Sequence, residues 1–248
     1  MMNNALERLK GQLIVSCQAF PGWPLYSPEY MARMAAAAEE GGAGGVRACW
    51  PDFIRQVRAA TTLPIVGINK VTGDHEPTLD EVIITPTFES AAAVIEAGCD
   101  VLGMDCTPRG RTYDDVARII EQIRKHYPCI PIMADISTLE EGMKAAEMGV
   151  DIVSSTLSGF TPASLKLSAQ ELKHLEETDD RPVLPPDFAL VKALRQNTKA
   201  MVNAEGRYWE VAQIQEGFRS GADMMTIGSA ITAPQLIVKR FVKAIQSL

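Results

Sequence analysis

The chain has 248 residues, a formal net charge of −7, 46% hydrophobic residues and 22% charged residues. This length supports a sizeable core, and the composition is that of a globular protein rather than a disordered chain. The acidic balance disfavours a nucleic-acid or anionic-membrane surface, and no apolar run is long enough for a membrane span or a signal peptide.

Apolar runs of strand length alternate with helical patterns along almost the whole chain. Eight of these runs predict strands of one sheet, and each is followed by a helical pattern. In chain order they are residues 13–17, 45–49, 64–69, 101–106, 130–136, 151–157, 200–204 and 224–228. A further run, residues 82–86, predicts a short accessory strand between the third and fourth.

Eight strand–helix units are the number that closes a (β/α)8 barrel. The rival α/β architecture is an open doubly wound sheet, but the first strand–helix turn lacks the G-x-G-x-x-G pattern. We therefore predict a TIM barrel that spans residues 1–248 as a single domain. Residues 159–186 interrupt the alternation. They are rich in Pro, Ser, Thr and charge, and their length predicts a lid or a mobile insertion.

Polar side chains recur where the predicted strands end. Active sites of (β/α)8 barrels lie at the carboxyl ends of the strands, so these positions are candidates for chemistry. They are Gln18, Arg47, Lys70, Asp105, Asp135, Glu205-Gly206-Arg207 and Gly228-Ser229.

Lys70 and Glu205 follow the third and seventh strands and would face each other across the barrel mouth. A desolvated lysine at Lys70 can act as a base or form a Schiff base, or it can be an ion-paired barrel lysine. Glu205 can act as acid or base, or can pair with Lys70 or Arg47. Two opposed bases are what proton transfer between the two faces of one carbon needs.

The remaining polar positions allow binding or structural roles. Arg47 can bind substrate oxygens or neutralise Asp105 or Asp135. The two aspartates can hold sugar hydroxyls or bond loop backbone, and Gln18 can bind an amide or hydroxyl group. Two further pairs, Gly206-Arg207 and Gly228-Ser229, fit the phosphate grip that forms after strands seven and eight of such barrels.

The cysteines and histidines do not indicate a metal site. The five cysteines are widely spaced without a C-x-x-C pair, and the three histidines have no ligand spacing. We interpret Cys17, Cys49 and Cys106 as small strand residues rather than nucleophiles, since no histidine pairs with them. A reducing, cytoplasmic setting is expected.

Several of these segments together resemble the N-acylglucosamine-6-phosphate 2-epimerases, which interconvert N-acetylmannosamine 6-phosphate and N-acetylglucosamine 6-phosphate in sialic acid catabolism. The matching segments occur in the family's order over nearly the whole chain. They are residues 13–18, 66–70, 84–87, 134–138, 156–161, 204–207 and 228–232.

The resemblance implies a barrel enzyme without metal or cofactor. It implies that Lys70 removes the C2 proton of the open-chain sugar, that an enolate forms and that the opposite face is reprotonated. Glu205 is the second acid/base candidate, acting directly or through a sugar hydroxyl. Gln18, Arg47 and Asp135 would position the sugar and its N-acyl group. A homodimer is also implied, for which the apolar face of the last helix, with Ile237, Phe241, Ile245 and Leu248, is a candidate contact.

The chain departs from the family pattern in three places. The loop between Lys70 and Ile83 is longer and begins Lys70-Val71-Thr72, and residues 159–186 are expanded. Ala233 stands where the pattern Gly-Ser-Ala-Ile-Thr-Arg has an arginine that resembles a phosphate ligand. Arg207 or Lys166 can compensate, or the substrate is an unphosphorylated or different sugar. A Schiff-base aldolase or lyase using Lys70 and a non-catalytic sugar-phosphate binding protein are the further alternatives.

Overall fold

Eight parallel strands form a closed barrel in sequence order. The computed structural model describes residues 4–72, 78–166 and 184–246. Each strand pairs with the next, and the eighth pairs back with the first. The strands are β1 Leu13–Cys17, β2 Gly45–Cys49, β3 Ile65–Ile68, β4 Val101–Asp105, β5 Ile132–Asp135, β6 Ile152–Ser154, β7 Met201–Glu205 and β8 Met224–Ile227. The predicted (β/α)8 barrel is confirmed.

The helices surround the barrel, with α1 Asn4–Leu9 ahead of the first strand. The others are α2 Pro28–Glu40, α3 Pro51–Ala60, α4 Phe88–Glu96, α5 Tyr113–His126, α6 Leu139–Glu147, α7 Pro162–Leu165, α8 Phe188–Asn197, α9 Val211–Arg219, α10 Ser229–Thr232 and α11 Pro234–Gln246. Thr87, Thr112 and Thr138 begin α4, α5 and α6 with capping boxes that pair the first free backbone N–H groups. None of these helices is long and apolar enough to cross a membrane.

Side chains alternate between the two faces of each strand, as pleated geometry requires. Outward residues such as Val46 and Val153 pack under the apolar faces of the helices in the main core. Inward residues near the start of the strands form a second cluster that α1 closes with Ala5, Leu6 and Leu9. This helix was not predicted from the sequence. It leaves the opposite, carboxyl end of the barrel open for a site.

Two predicted strands differ from the structure. The accessory strand at residues 82–86 is wrong: only Ile84 pairs there, in an isolated antiparallel bridge with Lys70. Thr85 has a φ of 48°, which interrupts extended backbone, and its hydroxyl donates to the Gly103 carbonyl instead. The strand predicted to reach residue 157 ends at Ser154, because residues 155–157 form a 3-10 turn.

Part of the long connection at residues 159–186 lies outside the described residues, namely 167–183. The described part contains the short helix α7, which begins at a capping box of Thr161 and Ser164. The prediction of a lid or insertion, and the single-domain boundaries at residues 1–248, stay predictions.

Candidate active site

A cavity of about 580 Å³ lies at the carboxyl ends of the strands, and both Lys70 and Glu205 line it. Lys70 follows β3 and Glu205 ends β7, and these strands are four apart in the ring of eight. The two side chains therefore enter the cavity from opposite walls of the barrel. This is the arrangement that the sequence predicted for them.

The Lys70 ammonium lies close to an aromatic ring. Its Nζ is 4.3 Å from the centroid of the Phe20 ring, a cation–π contact. Burial lowers the pKa of Lys70 from its ordinary value. A lysine of lowered pKa holds a larger fraction of neutral amine near neutral pH, and only the neutral amine can accept a proton.

The Glu205 carboxylate is bonded through one oxygen. Its Oε2 accepts from Arg47 Nη1 at 2.7 Å and from Asn203 Nδ2 at 3.3 Å, and it lies 3.2 Å from Thr156 Oγ1. Burial raises the pKa of Glu205, so the carboxyl retains a proton more readily than an exposed glutamate. The predicted alternative of an ion pair with Arg47 is also present. Acid/base chemistry and ion pairing therefore coincide in one residue.

A buried charged network lies beneath Glu205. Arg47 binds Asp135 through two hydrogen bonds of 2.5 and 3.1 Å, and the two side chains are 1% and 0% exposed. Thr156 Oγ1 donates to Asp135 Oδ1 at 2.6 Å. Neither Arg47 nor Asp135 lines the cavity, so the structure places both under its floor. Direct contact of Arg47 and Asp135 with substrate stays a prediction. In the structure, Arg47 binds Glu205 directly, and Asp135 binds both Arg47 and Thr156.

Gln18 lines the cavity with an unsatisfied acceptor. Its Nε2 donates to Ser16 Oγ at 2.7 Å, while its Oε1 is buried and accepts no hydrogen bond from the part of the chain that the structure describes. A buried acceptor without a donor is costly, so a ligand N–H or O–H that reached it would be favoured. The predicted binding role of Gln18 fits this geometry.

Gly206 and Arg207 line the cavity with positive φ angles of 104° and 65°. The Arg207 guanidinium turns towards nearby backbone. Its Nε donates to the Pro185 carbonyl at 2.9 Å, its Nη1 donates to the Ser158 carbonyl, and the group lies 5.7 Å from the Phe160 ring centroid. Arg207 therefore holds the two described ends of the long connection in addition to facing the cavity.

Gly228 and Ser229 form the other half of the predicted phosphate grip, and both line the cavity. Gly228 precedes α10, and its carbonyl accepts from the backbone N–H groups of Ile231 and Thr232. Ala233 is buried and also lines the cavity. Lys166, a candidate to replace the missing arginine, is exposed at the end of α7 and is not among the residues that line the cavity.

The Asp105 carboxylate binds residues of the loop that directly follows β4. Its carboxylate binds Arg109 Nη2 at 2.5 Å and accepts from both the backbone N–H and the hydroxyl of Thr107. It does not line the cavity. The sequence left two roles open for Asp105, binding of sugar hydroxyls or hydrogen bonding to loop backbone. The structure has the second, with the Thr107 backbone N–H as donor.

Polar residues around Glu205 that were not predicted as functional include Ser154, Thr156 and Asn203. Ser154 and Thr156 share a 2.7 Å hydrogen bond, and Asn203 Nδ2 donates to Ser154 Oγ at 2.7 Å. The sequence contained a signal for Asn203, because it lies two positions before Glu205 on the same strand and must share its inward face. Ser154 pairs with Asn203 across β6 and β7, a register that only the closed barrel reveals.

Fold and site together define a (β/α)8-barrel enzyme of the acid–base type. A family profile described as "Putative N-acetylmannosamine-6-phosphate epimerase" matches residues 31–247. A relative from Shouchella clausii is 38% identical over 245 residues, 99% of this chain and all of the relative. One from Clostridioides difficile is 39% identical, covering 97% of this chain and 99% of the relative. Both relatives are named "Putative N-acetylmannosamine-6-phosphate 2-epimerase". The chain belongs to this epimerase family.

Solved structures agree with the assignment. The N-acetylmannosamine-6-phosphate 2-epimerase from Clostridium perfringens superposes with a TM-score of 0.82 at 36% identity, over 96% of this chain and 95% of that one. A thiamine phosphate pyrophosphorylase from Pyrococcus furiosus reaches 0.55 at 16% identity over 92% and 90% of the chains, which shows a shared fold alone. The chain is therefore a carbohydrate epimerase, as its resemblance to that family implied.

Proposed function

We propose that this chain interconverts N-acetylmannosamine 6-phosphate and N-acetylglucosamine 6-phosphate by moving the proton at C2, in the cytoplasmic breakdown of sialic acid and amino sugars. The observation that carries the proposal is the entry of Lys70 and Glu205 into one cavity from opposite walls. The names of the relatives supply the substrate. The buried cysteines Cys17, Cys49, Cys99 and Cys106 form no disulfide, which is in keeping with a reducing compartment.

The proton chemistry follows from the two side chains. The neutral Lys70 amine takes the C2 proton, which is acidic because it lies alpha to the aldehyde of the open-chain sugar. The carbon's electron pair moves into an enolate, and a proton returns to C2 on the opposite face. Glu205 supplies that proton directly or through a sugar hydroxyl. The positive charge of Arg47 below the floor favours the enolate and holds the Glu205 carboxylate in place.

The remaining residues bind the substrate in this proposal. The Gln18 Oε1 accepts the amide N–H of the N-acetyl group, since that oxygen is buried without a donor. Arg47 and Asp135 orient the sugar through Glu205 and through Thr156, which lines the cavity. The 6-phosphate lies against the backbone of the Gly206-Arg207 and Gly228-Ser229 turns.

An unphosphorylated acylamino sugar is the second candidate substrate, and Ala233 is the observation that favours it. Ala233 lines the cavity with a methyl group beside the turn after β8. Arg207, the cation of the predicted phosphate grip, already donates to the Ser158 and Pro185 carbonyls. A phosphate would therefore be held mostly by backbone N–H groups, unless Arg207 exchanges its partners.

Proton NMR in D₂O separates these substrates. We expect loss of the C2 proton signal and growth of the gluco epimer with N-acetylmannosamine 6-phosphate, and little change with the unphosphorylated sugar. Exchange with the unphosphorylated sugar alone would select the second candidate. No exchange with either, together with a borohydride-trapped adduct on Lys70, would replace the epimerase by a Schiff-base aldolase or lyase. Tight binding without exchange or adduct would leave a sugar-phosphate binding protein.

We also propose a homodimer, supported by the exposed apolar side chains of α11. Val238, Phe241 and Ile245 are 58%, 69% and 67% exposed on one side of that helix. A second copy of the chain would cover them. We expect sedimentation to give twice the monomer mass, and Phe241→Glu to reduce it to the monomer mass. Lys243→Glu, an exposed change on the same helix, is the matched control. A wild-type monomer would disprove the dimer.

A further inference from the structure

A tryptophan next to Lys70 holds a backbone conformation that tryptophan rarely adopts. Trp50 follows β2 directly and has φ 69° and ψ 142°, close to a region that is otherwise almost restricted to glycine. Non-glycine residues remain in such conformations only where the surrounding contacts impose them, and these cases concentrate at functional sites. The contacts of Trp50 therefore show what the strained backbone achieves.

Trp50 contacts the end of β3 through two hydrogen bonds. Its backbone N–H donates to the Ile68 carbonyl at 2.9 Å, and its indole Nε1 donates to the Lys70 carbonyl at 2.8 Å. The two acceptors are two residues apart and flank Asn69. The backbone N–H of Trp50 is already used in the first bond, so the indole N–H is the donor that remains for the Lys70 carbonyl. A glycine would adopt the same φ without strain but would leave the Lys70 carbonyl without this donor.

The indole ring is itself fixed by aromatic packing. It lies 5.7 Å from the Tyr26 ring at 88° and 5.2 Å from the Phe53 ring at 60°. Phe53 is buried in the main core, so the position of the indole is tied to the rigid body of the barrel. The donor to the Lys70 carbonyl is thereby packed against the core of the barrel.

This restraint acts where the chain leaves the barrel. Beyond Lys70, Val71 N–H donates to the Ile83 carbonyl and Lys70 pairs with Ile84 in an isolated bridge, which is weaker than a full strand ladder. The side chain of Lys70 then reaches from this point to within 4.3 Å of the Phe20 ring centroid. A shift of the Lys70 backbone would move the amine relative to Glu205 on the opposite wall.

We propose that Trp50 is a positioning residue for Lys70: its indole N–H fixes the Lys70 carbonyl and so sets the place of the amine in the cavity. The inference rests on the proposed function in treating Lys70 as the base. Misplacement of a reacting group by about 1 Å costs on the order of 100-fold in rate, so loss of the bond should act on turnover.

The test compares three variants with N-acetylmannosamine 6-phosphate as substrate. Trp50→Phe keeps a ring and removes the N–H donor, and Trp50→Gly also removes the backbone strain. Both should lower kcat about 10- to 100-fold and change KM less than about threefold, since the bond positions the base rather than the sugar. Val57→Ala is the matched control: it removes a fully buried side chain of the same helix, α3, but keeps Trp50 and its aromatic neighbours, and it should lose stability without this loss of kcat.

A pH profile gives a readout that a merely structural role would not move. The base must be neutral, so kcat/KM rises as Lys70 loses its proton. If Trp50→Phe lets water reach the amine, the pKa of Lys70 rises toward its ordinary value and this limb moves to higher pH. Trp50→Phe leaves unchanged all the groups whose charge acts on Lys70, so a shift of its pKa would not come from them. These groups are Cys49, Arg47, Glu205 and Asp135.

Reductive methylation of Lys70 with formaldehyde and cyanoborohydride, followed against pH by peptide mass spectrometry, measures the same titration without substrate. A shift of both profiles in Trp50→Phe but not in Val57→Ala supports the inference. Unchanged kcat and unchanged labelling in Trp50→Phe overturn it, whether or not the variant is less stable. If the wild type exchanges no C2 proton but the labelling profile still shifts, the epimerase proposal fails while the positioning of Lys70 by Trp50 stands.

Discussion

The two ends of the barrel interior are built by the same strands with opposite chemistry. Near the start of the strands, the inward side chains are apolar and pack with α1, among them Ile14, Met133, Ile152 and Met224. Two positions further along the same strands, the inward side chains are polar: Ser16, Asp135, Ser154 and Thr226. The change of chemistry therefore occurs within one pleat.

This contrast separates stability from activity along the barrel axis. The buried cluster that α1 closes consists of hydrophobic side chains, so its burial contributes to stability in the usual way. The polar end contains Arg47, Asp135 and Glu205 in a mostly buried network. Buried ion pairs add little net stability, because desolvation offsets their attraction. The polar end is thus retained for what it does to Lys70 and Glu205, and four changes can test this division.

The largest expected effect is the loss of activity in Lys70→Met. Removing the base should lower C2 proton exchange about 10²- to 10⁴-fold, because general-base catalysis contributes that much. The free energy of unfolding should stay constant or rise slightly, since burial disfavours the Lys70 ammonium. Exchange by proton NMR and urea unfolding measure the two quantities. Retention of exchange above a tenth of the wild-type rate would contradict the assignment of Lys70.

Arg47→Met should affect both halves of the comparison. It leaves Asp135 and Glu205 buried without their cation, and breaking a buried ion pair in this way costs about 3–5 kcal/mol. Urea unfolding measures the loss. The double variant Arg47→Met with Glu205→Gln removes one of the two orphaned charges and should recover part of it. A single variant as stable as the wild type would show that the carboxylates are solvated or protonated in the fold.

Leu9→Ala breaks the apolar end alone. Leu9 is completely buried against the inward side chains of the barrel, and a large-to-small change at such a site costs about 2–5 kcal/mol. Lys10→Ala, at the exposed neighbouring position, should change the free energy of unfolding by less than about 0.5 kcal/mol. The kcat of folded Leu9→Ala should equal the wild-type value. A kcat reduced more than about threefold would show that the two ends are coupled.

The sequence predicted the barrel because its alternating pattern depends on local chemistry. Strand runs, helix caps and short connections are each encoded within about ten residues. Eight such strand–helix units are the number that closes a (β/α)8 barrel. The missed helix α1 has only six residues, too few for a periodic pattern. Residues 82–86 were wrongly predicted as a strand because they are apolar. Their apolar character serves packing instead, since Ile84 is buried in a cluster with Leu157.

The site was predictable to the extent that its residues lie at strand ends. Lys70 and Glu205 were found in that way, and the closed ring places them opposite each other. The floor was predicted only as one alternative: the sequence offered Arg47 as a partner of Asp105 or Asp135, and the choice of Asp135, 88 residues away, depends on the register of the whole barrel. Trp50 was missed because its role comes from a backbone angle and an indole hydrogen bond, neither of which has a sequence signature.

The smallest expected effect is the pH dependence of stability in Glu205→Gln. Burial raises the pKa of Glu205, so the folded state binds this proton more tightly than the unfolded chain does. Ionisation of Glu205 therefore lowers wild-type stability as pH rises from the ordinary carboxyl range through the raised value, by at most about 1.4 kcal/mol per pH unit. Glutamine cannot ionise and keeps an oxygen for Arg47, so the variant lacks this decline.

We expect Glu205→Gln to be close to the wild type in stability below the ordinary glutamate pKa of about 4.3 and to become relatively more stable as the pH rises above it. Urea unfolding below and above this pH measures the difference, and Glu141→Gln is a buried carboxyl control outside the cavity. The same Glu205 variant should lose exchange activity. Stability would then improve where activity falls, which is the behaviour of a group kept for chemistry. Parallel curves for wild type and variant would mean that Glu205 ionises as easily in the fold as in water, and the polar end would then carry no electrostatic strain at this residue.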